Sequence, residues 1–326
     1  MLEIPKINNR PPRNFALFLP KHIANPQKLC YNEPNKAKKG SRAMKKSQIN
    51  IRDPFVVYEN GSYYLYGTRA QNFGCCTGGF DVYVSSDLDE WSDPIPCLDS
   101  EAHALNRDAN WAPEVHKYNG KYYMFATFTQ ENGLHATYAL VSDSLTGPFL
   151  PHSQGPLTPT DWECLDGTLY IDESGVPYLV FCHEHTQIID GTVCYARLTE
   201  ALDATVGEVV TLFCASSCEW ADYVGPRHYV TDGPFMYRSK SGELFMIWSS
   251  FIKEEYAEFV VKFKDGRLGM EFEHLTPLLD SDGGHGMIFS NGDKSYFTYH
   301  TPNTKGCEHP EFCLFEDNGS TISIIK

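Results

Sequence analysis

Four carboxyl side chains and one histidine stand at or near the start of five similar stretches of this sequence. Asp53, Asp166 and Asp232 open the segments DPFVVYENGSYYLYG, DGTLYIDESGVPYLVF and DGPFMYRSKSGELFMIW. His285 is second in GHGMIFSNGDKSYFTYH, and Glu114 is third in APEVHKYNGKYYMFA. Counting back from the turn glycine, Asp53 lies eight before Gly61, Ala112 eight before Gly120, Asp166 nine before Gly175, Asp232 ten before Gly242 and His285 seven before Gly292. The five starts therefore read as nearly equivalent positions. One such aspartate alone says little, because Asp-Pro and Asp-Gly are ordinary turn sequences. Several together repel one another and lose solvation unless a metal, a substrate or shared protons hold them. Crowding also drives their pKa values apart, so that one acid keeps its proton while a neighbour is ionised. Such a split pair is what glycoside hydrolysis uses: one group protonates the leaving oxygen, the other activates water or attacks.

Something must bring these residues together, and the pattern around them says what. Each segment has a polar or small start, an alternating strand, a turn with Gly and a second aromatic-rich strand, and helical periodicity is nearly absent. The segments start 52 to 66 residues apart, slightly more than one four-stranded blade. Blades bury their faces only against other blades, so five in sequence predict an all-β fold, a closed five-bladed β-propeller. A β-sandwich or open barrel would not repeat one hairpin so regularly. In a propeller the first strand of each blade lines the axis, which would gather Asp53, Asp166, Asp232, His285 and, by strand alternation from Ala112, Glu114. Residues 1–47 read as an irregular N-terminal arm that wraps the main domain or its sheet edge, and residues 48–326 as the propeller.

Composition narrows the partners. The 42 acidic against 27 basic residues leave a net charge of −15, which argues against nucleic acid and anionic membranes. No stretch reaches the 18 apolar residues of a spanning helix. The eleven Cys lack paired zinc spacing, and free cytosolic thiols are the expectation. The start, MLEIPKINNRPPRNF, does not read as a secretory leader, so a cytoplasmic location is expected, or a periplasmic or secreted one if a leader was removed. Many aromatics suit a neutral sugar ligand. Trp111 and Trp220, each just before a blade-opening segment, are the expected stacking platforms.

Asn50-Ile51-Arg52-Asp53-Pro54-Phe55, Trp111-Ala112-Pro113-Glu114-Val115, Leu165-Asp166-Gly167-Thr168-Leu169 and Thr231-Asp232-Gly233-Pro234-Phe235, in that order, resemble glycoside hydrolase family 43. The resemblance covers roughly residues 50 to 320. It implies a five-bladed propeller, inverting hydrolysis, and α-L-arabinofuranosidase, β-xylosidase, endo-arabinanase or exo-galactanase substrates. It also implies that Asp53 is the general base, that Asp166 orients the acid and adjusts its pKa, and that His285 faces an axial metal, commonly calcium. One position departs, because the family's acid is usually Glu in E-G-P and Asp232 is one methylene shorter. The acid is then Asp232 or another carboxyl, Glu184 or Glu219. In His183-Glu184-His185 the two histidines share one strand face and Glu184 takes the other, without the helical spacing of a metal site. Two other readings stay open. One is a non-catalytic carbohydrate-binding propeller. The other is a phosphate-dependent phosphorylase, whose anion site would need more than Arg52, Arg107, Arg227 and His228.

Overall fold

A computed structural model describes residues 43–72, 78–106 and 108–325. Residues 1–42, most of the expected arm, lie outside the described residues, as do Arg107 and the Cys75-Cys76 pair. The rest forms five antiparallel sheets laid down in chain order, the expected five-bladed β-propeller. Blade I has Ile51–Glu59 innermost, then Ser62–Arg69 and Phe80–Ser85, with Glu90–Trp91 and Ile95–Leu98 at its edge. Met44–Lys45 pairs with Glu90–Trp91, so the chain just before the propeller adds a short outer strand to that blade. Blade II is Trp111–Tyr118, Lys121–Thr129, His135–Ser142 and Leu150–Pro151. Blade III is Cys164–Ile171, Pro177–His183, Thr192–Leu198 and Thr205–Cys214. Blades IV and V open with Asp232–Arg238 and Gly284–Ser290 and each adds three more strands. The innermost strands touch in a closed circuit.

The alternation seen in sequence becomes two buried faces per blade. Between blades I and II pack Tyr66, Phe80, Met124 and Phe128, and between II and III Phe125, Leu179 and Phe181. Val180, Phe213, Trp248 and Phe259 fill the III–IV seam, and Phe245, Ile247, Ile288 and Phe297 the IV–V seam. Burying such side chains removes about 1.5–3 kcal/mol each of apolar exposure, and here that gain exists only between neighbours.

Among the described residues no strand is shared across the V–I seam, and side chains bridge it. Trp91 stacks on Phe312 with ring centroids 5.7 Å apart. Arg52 donates to Glu308 Oε1 at 2.8 Å and Asn303 Oδ1 at 3.0 Å. Asn50 Nδ2 bonds the carbonyls of Gly306 and Glu308, and Lys46 pairs with Glu311. One of these links, Arg52, directly precedes Asp53 on the strand that carries it.

Candidate active site

Each innermost strand carries a bulge at the same place. The pairing register slips between Arg52 and Phe55, Trp111 and Glu114, Leu165 and Thr168, Asp232 and Phe235, and Gly284 and Met287. The first residue of each bulge is left-handed: Asp53 (φ 54°), Ala112 (46°), Asp166 (57°), Gly233 (49°) and His285 (51°). Bulges re-aim side chains beside functional sites. The five-fold set is thus Asp, Ala, Asp, Gly, His, which corrects the expectation that Asp232 is equivalent to Asp53 and Asp166. Gly233 holds that position, and Asp232 matches Arg52, Trp111, Leu165 and Gly284, one residue earlier. Turn lengths differ among the blades, so counting from the turn glycine slipped by one. Each of these five left-handed residues is followed by Pro or Gly, but so is Asp232, so that marker does not separate Asp232 from Gly233.

Only glycine fits at 233, since a Cβ there would lie 2.6 Å from the His285 ring. The N–H groups of the five residues are held across the seams. Ala112 N donates to Thr68 Oγ1 (2.8 Å), Asp166 N to Thr127 Oγ1 (3.0 Å), His285 N to Ser249 Oγ (2.6 Å) and Asp53 N to His300 Nδ1 (3.2 Å). Blade III has Cys182 where the others have Thr, Ser or His. There Gly233 N bonds Asp166 Oδ2 instead, at 3.0 Å.

A cavity of about 340 Å³ opens at this end of the axis, lined by Asp53, Asp166, Asp232, His285, Glu184 and Trp111, with Arg52 and His185 beside them. His285 Nδ1 lies 3.2 Å from Asp53 Oδ1 and 3.8 Å from Asp166 Oδ2. Burial opposes a charge on this imidazole, but the carboxylates of Asp53, Asp166, Asp232 and Glu114 outweigh it and push its pKa to about 9. Burial also opposes ionisation of Asp53, yet His285, Arg52, His300 and a 2.6 Å bond from Thr68 Oγ1 hold its pKa below the usual value. Asp166 goes the other way, to about 7, through burial and the charges of Asp232 and Asp53, against the pull of His285. Burial raises Asp232 too, opposed by His285, a 2.9 Å bond from the Tyr256 hydroxyl and Arg52. Glu184 is raised well above the carboxyl range by burial and by Asp232, Asp166 and Glu163. One pocket thus holds an ionised carboxylate, Asp53, facing carboxyls whose hold on a proton is strengthened, the arrangement acid–base catalysis needs.

Trp111 lines the pocket as expected, stacked on His135 at 4.4 Å, and His135 in turn pairs with Glu163. Three expected residues are not in its wall. Glu219 is exposed elsewhere, and Trp220 packs against the apolar III–IV seam. Glu114 is buried against His116 Nε2 (3.0 Å), outside the pocket lining. His185, from the His183-Glu184-His185 triplet, lines the pocket beside Glu184, whereas His300, Tyr256 and Thr68 were not anticipated, because their contacts with Asp53 and Asp232 come from other strands or blades and no local motif marks them. Arg107 lies outside the described residues, and the other three cations do not gather: Arg52 is committed to Glu308 and Asp53, Arg227 is exposed, and His228 bonds His185.

Calcium takes six to eight oxygen ligands. His285 presents an imidazolium N–H to two aspartates, and among the described residues no cluster of three or more His, Cys, Asp or Glu is arranged to hold a metal. The residues do not fit a calcium held by His285.

The family model "Glycosyl hydrolases family 43" matches residues 47–314. The chain is similar to an endo-arabinase from Bacteroides thetaiotaomicron, at 34% identity over 86% of this chain and 99% of that one, with a TM-score of 0.78. It also resembles an endo-1,4-beta-xylanase from the same organism (22% identity, 87% and 97% covered, TM-score 0.71). A third similar structure is a β-xylosidase/α-arabinofuranosidase from a compost microbial metagenome, in complex with xylotriose and in a calcium-free form (16%, 88% and 98%, 0.66). No curated protein matches. Among the described residues no helix is long and apolar enough to cross a membrane.

Proposed function

Because the chain belongs to glycosyl hydrolase family 43, it is a glycoside hydrolase, and we propose that it cleaves pentose-containing oligosaccharides or polysaccharides with inversion, as an enzyme of α-L-arabinofuranosidase or β-xylosidase type. One observation carries this reading: Asp53, held ionised by His285, Arg52 and Thr68, shares a pocket with carboxyls whose pKa values are raised. Asp53 takes a proton from water, the water oxygen attacks the anomeric carbon, and a protonated carboxyl gives its proton to the departing glycosidic oxygen. His285 keeps Asp53 charged, and Asp166 adjusts the neighbouring acid. Trp111, backed by His135, offers a ring face on which a sugar can stack. The names of the similar arabinan- and xylan-acting proteins support a pentose.

The test is release of sugar from nitrophenyl α-L-arabinofuranoside, β-D-xyloside and β-D-galactoside, and from arabinan and arabinoxylan, with and without phosphate. Phosphate-independent release from an arabinoside or xyloside is expected. Cleavage of the galactoside alone, a requirement for phosphate, or binding without cleavage contradicts the proposal.

A further inference from the structure

Two carboxyls of the pocket could give the proton, and their surroundings differ. Burial raises the pKa of Asp232, but its Oδ2 accepts the Tyr256 hydroxyl at 2.9 Å, and the charges of His285 and Arg52 also oppose the rise. A carboxylate that accepts a hydrogen bond and faces cations is stabilised as the anion. Its aspartyl stem also starts one residue before the axial ring, from the strand position that Trp111 and Leu165 occupy in their blades.

Glu184 comes from the other side of the III–IV seam. It follows the second strand of blade III, Pro177–His183, and precedes the single helical turn His185–Ile188, without capping it by its side chain. It is 6% exposed and lines the pocket, and among the described residues its buried Oε1 has no hydrogen-bond partner. That is a costly place for a carboxylate oxygen and a tolerable one for a carboxylic acid. The groups facing it are three carboxyls, Asp232, Asp166 and Glu163, and the imidazole of His185, whose Nε2 lies 3.4 Å from Oε2. His185 brings no charge: burial lowers its pKa and so does His228, against Asp232. His228 Nδ1 also lies 3.1 Å from both the His185 carbonyl and His185 Nδ1, so its N–H points there and His185 Nδ1 accepts. No cation faces Glu184 among these groups.

We propose that Glu184 is the proton donor of the reaction and that Asp232 remains ionised beside it, held by Tyr256. This rests on the hydrolase reading above. As the glycosidic C–O bond breaks, the Glu184 proton moves to the departing oxygen while Asp53 takes a proton from the attacking water. Water is thereby added across the bond, leaving Glu184 ionised and Asp53 protonated. Exchange with solvent restores both. Asp232, by its negative charge, keeps the Glu184 proton in place at neutral pH.

The experiment compares Glu184→Gln, Glu184→Asp and Asp232→Asn with the wild type on an unactivated arabino- or xylo-oligosaccharide and on an aryl glycoside with a good leaving group, which needs little protonation. Glu184→Gln is expected to slow the first by about 10²–10⁴-fold and the second far less, and to abolish the alkaline limb of the pH profile. Glu184→Asp keeps a carboxyl, so it reads the same position should the Gln variant fail to fold. It should retain the limb and part of the activity. Asp232→Asn should slow both substrates alike and move the alkaline limb to lower pH, because the charge that raises Glu184 is gone. The proposal is overturned if Asp232→Asn shows the leaving-group dependence and the Glu184 variants do not. A wild-type protein that cleaves none of these substrates overturns the hydrolase reading and this assignment with it.

Discussion

The backbone N–H of Gly233 donates to Asp166 Oδ2 at 3.0 Å, joining blade IV to the axial carboxylate of blade III. At the other four seams the equivalent N–H goes to a hydroxyl or to His300. The same glycine lies under the His285 ring, so one backbone position touches both Asp166 and the imidazole that holds Asp53 ionised.

Gly233→Ala should therefore damage geometry and chemistry together. The added methyl meets the ring at 2.6 Å, on a backbone of φ 49°. Left-handed strain of this kind costs about 1–3 kcal/mol, and the ring or the backbone must also shift to relieve the contact. A lowered melting temperature with activity reduced at least tenfold is expected. Wild-type activity would show that the His285 position is not critical.

Asp53→Asn keeps an oxygen for Thr68 to bond but cannot accept a proton. The rate should fall by about 10²–10⁴-fold on every substrate, whatever the leaving group, with a folded protein by circular dichroism. A variant with the wild-type rate and pH profile removes Asp53 from the mechanism.

A third outcome concerns stability and pH. Glu258 is fully buried, accepts bonds from Ser249 Oγ (2.7 Å) and Gly286 N (3.1 Å), and burial lifts its pKa to about 7 against those bonds and His285. An acid whose folded pKa exceeds its unfolded one binds more protons when folded, so its contribution to stability is lost as pH rises from about 4.5 to about 7. Glu258→Gln cannot ionise, and its melting temperature should fall less over that range than the wild type's. Equal slopes would mean that Glu258 titrates normally.

The fold was legible because a blade is a local pattern: two alternating strands around a turn, recurring five times. Asp53, Asp166 and His285 were legible for the same reason, as each marks one blade. Asp232 was placed one residue off because Asp-Gly-Pro puts its carboxylate directly before the left-handed position, while turns of different length hide the offset. Glu184 was legible only as an option, since what singles it out is the company of Asp166 on the neighbouring strand and of Asp232 across a seam. Trp220 misled because a tryptophan before a blade can face the apolar seam as readily as the pocket. Tyr256 and His300 carry no motif: Tyr256 reaches Asp232 from the third strand of the same blade, and only the closed ring brings His300 to Asp53.

The central claim is that water, activated by Asp53, attacks opposite the departing oxygen. Proton NMR of the sugar released in the first minutes from an arabinoside or xyloside tests it most directly, before mutarotation mixes the anomers. The inverted anomer is predicted, together with about 6.5–9.5 Å between the Asp53 and donor carboxyls in a substrate complex. A retained anomer, with carboxyls about 5 Å apart, would make Asp53 a nucleophile and contradict the account.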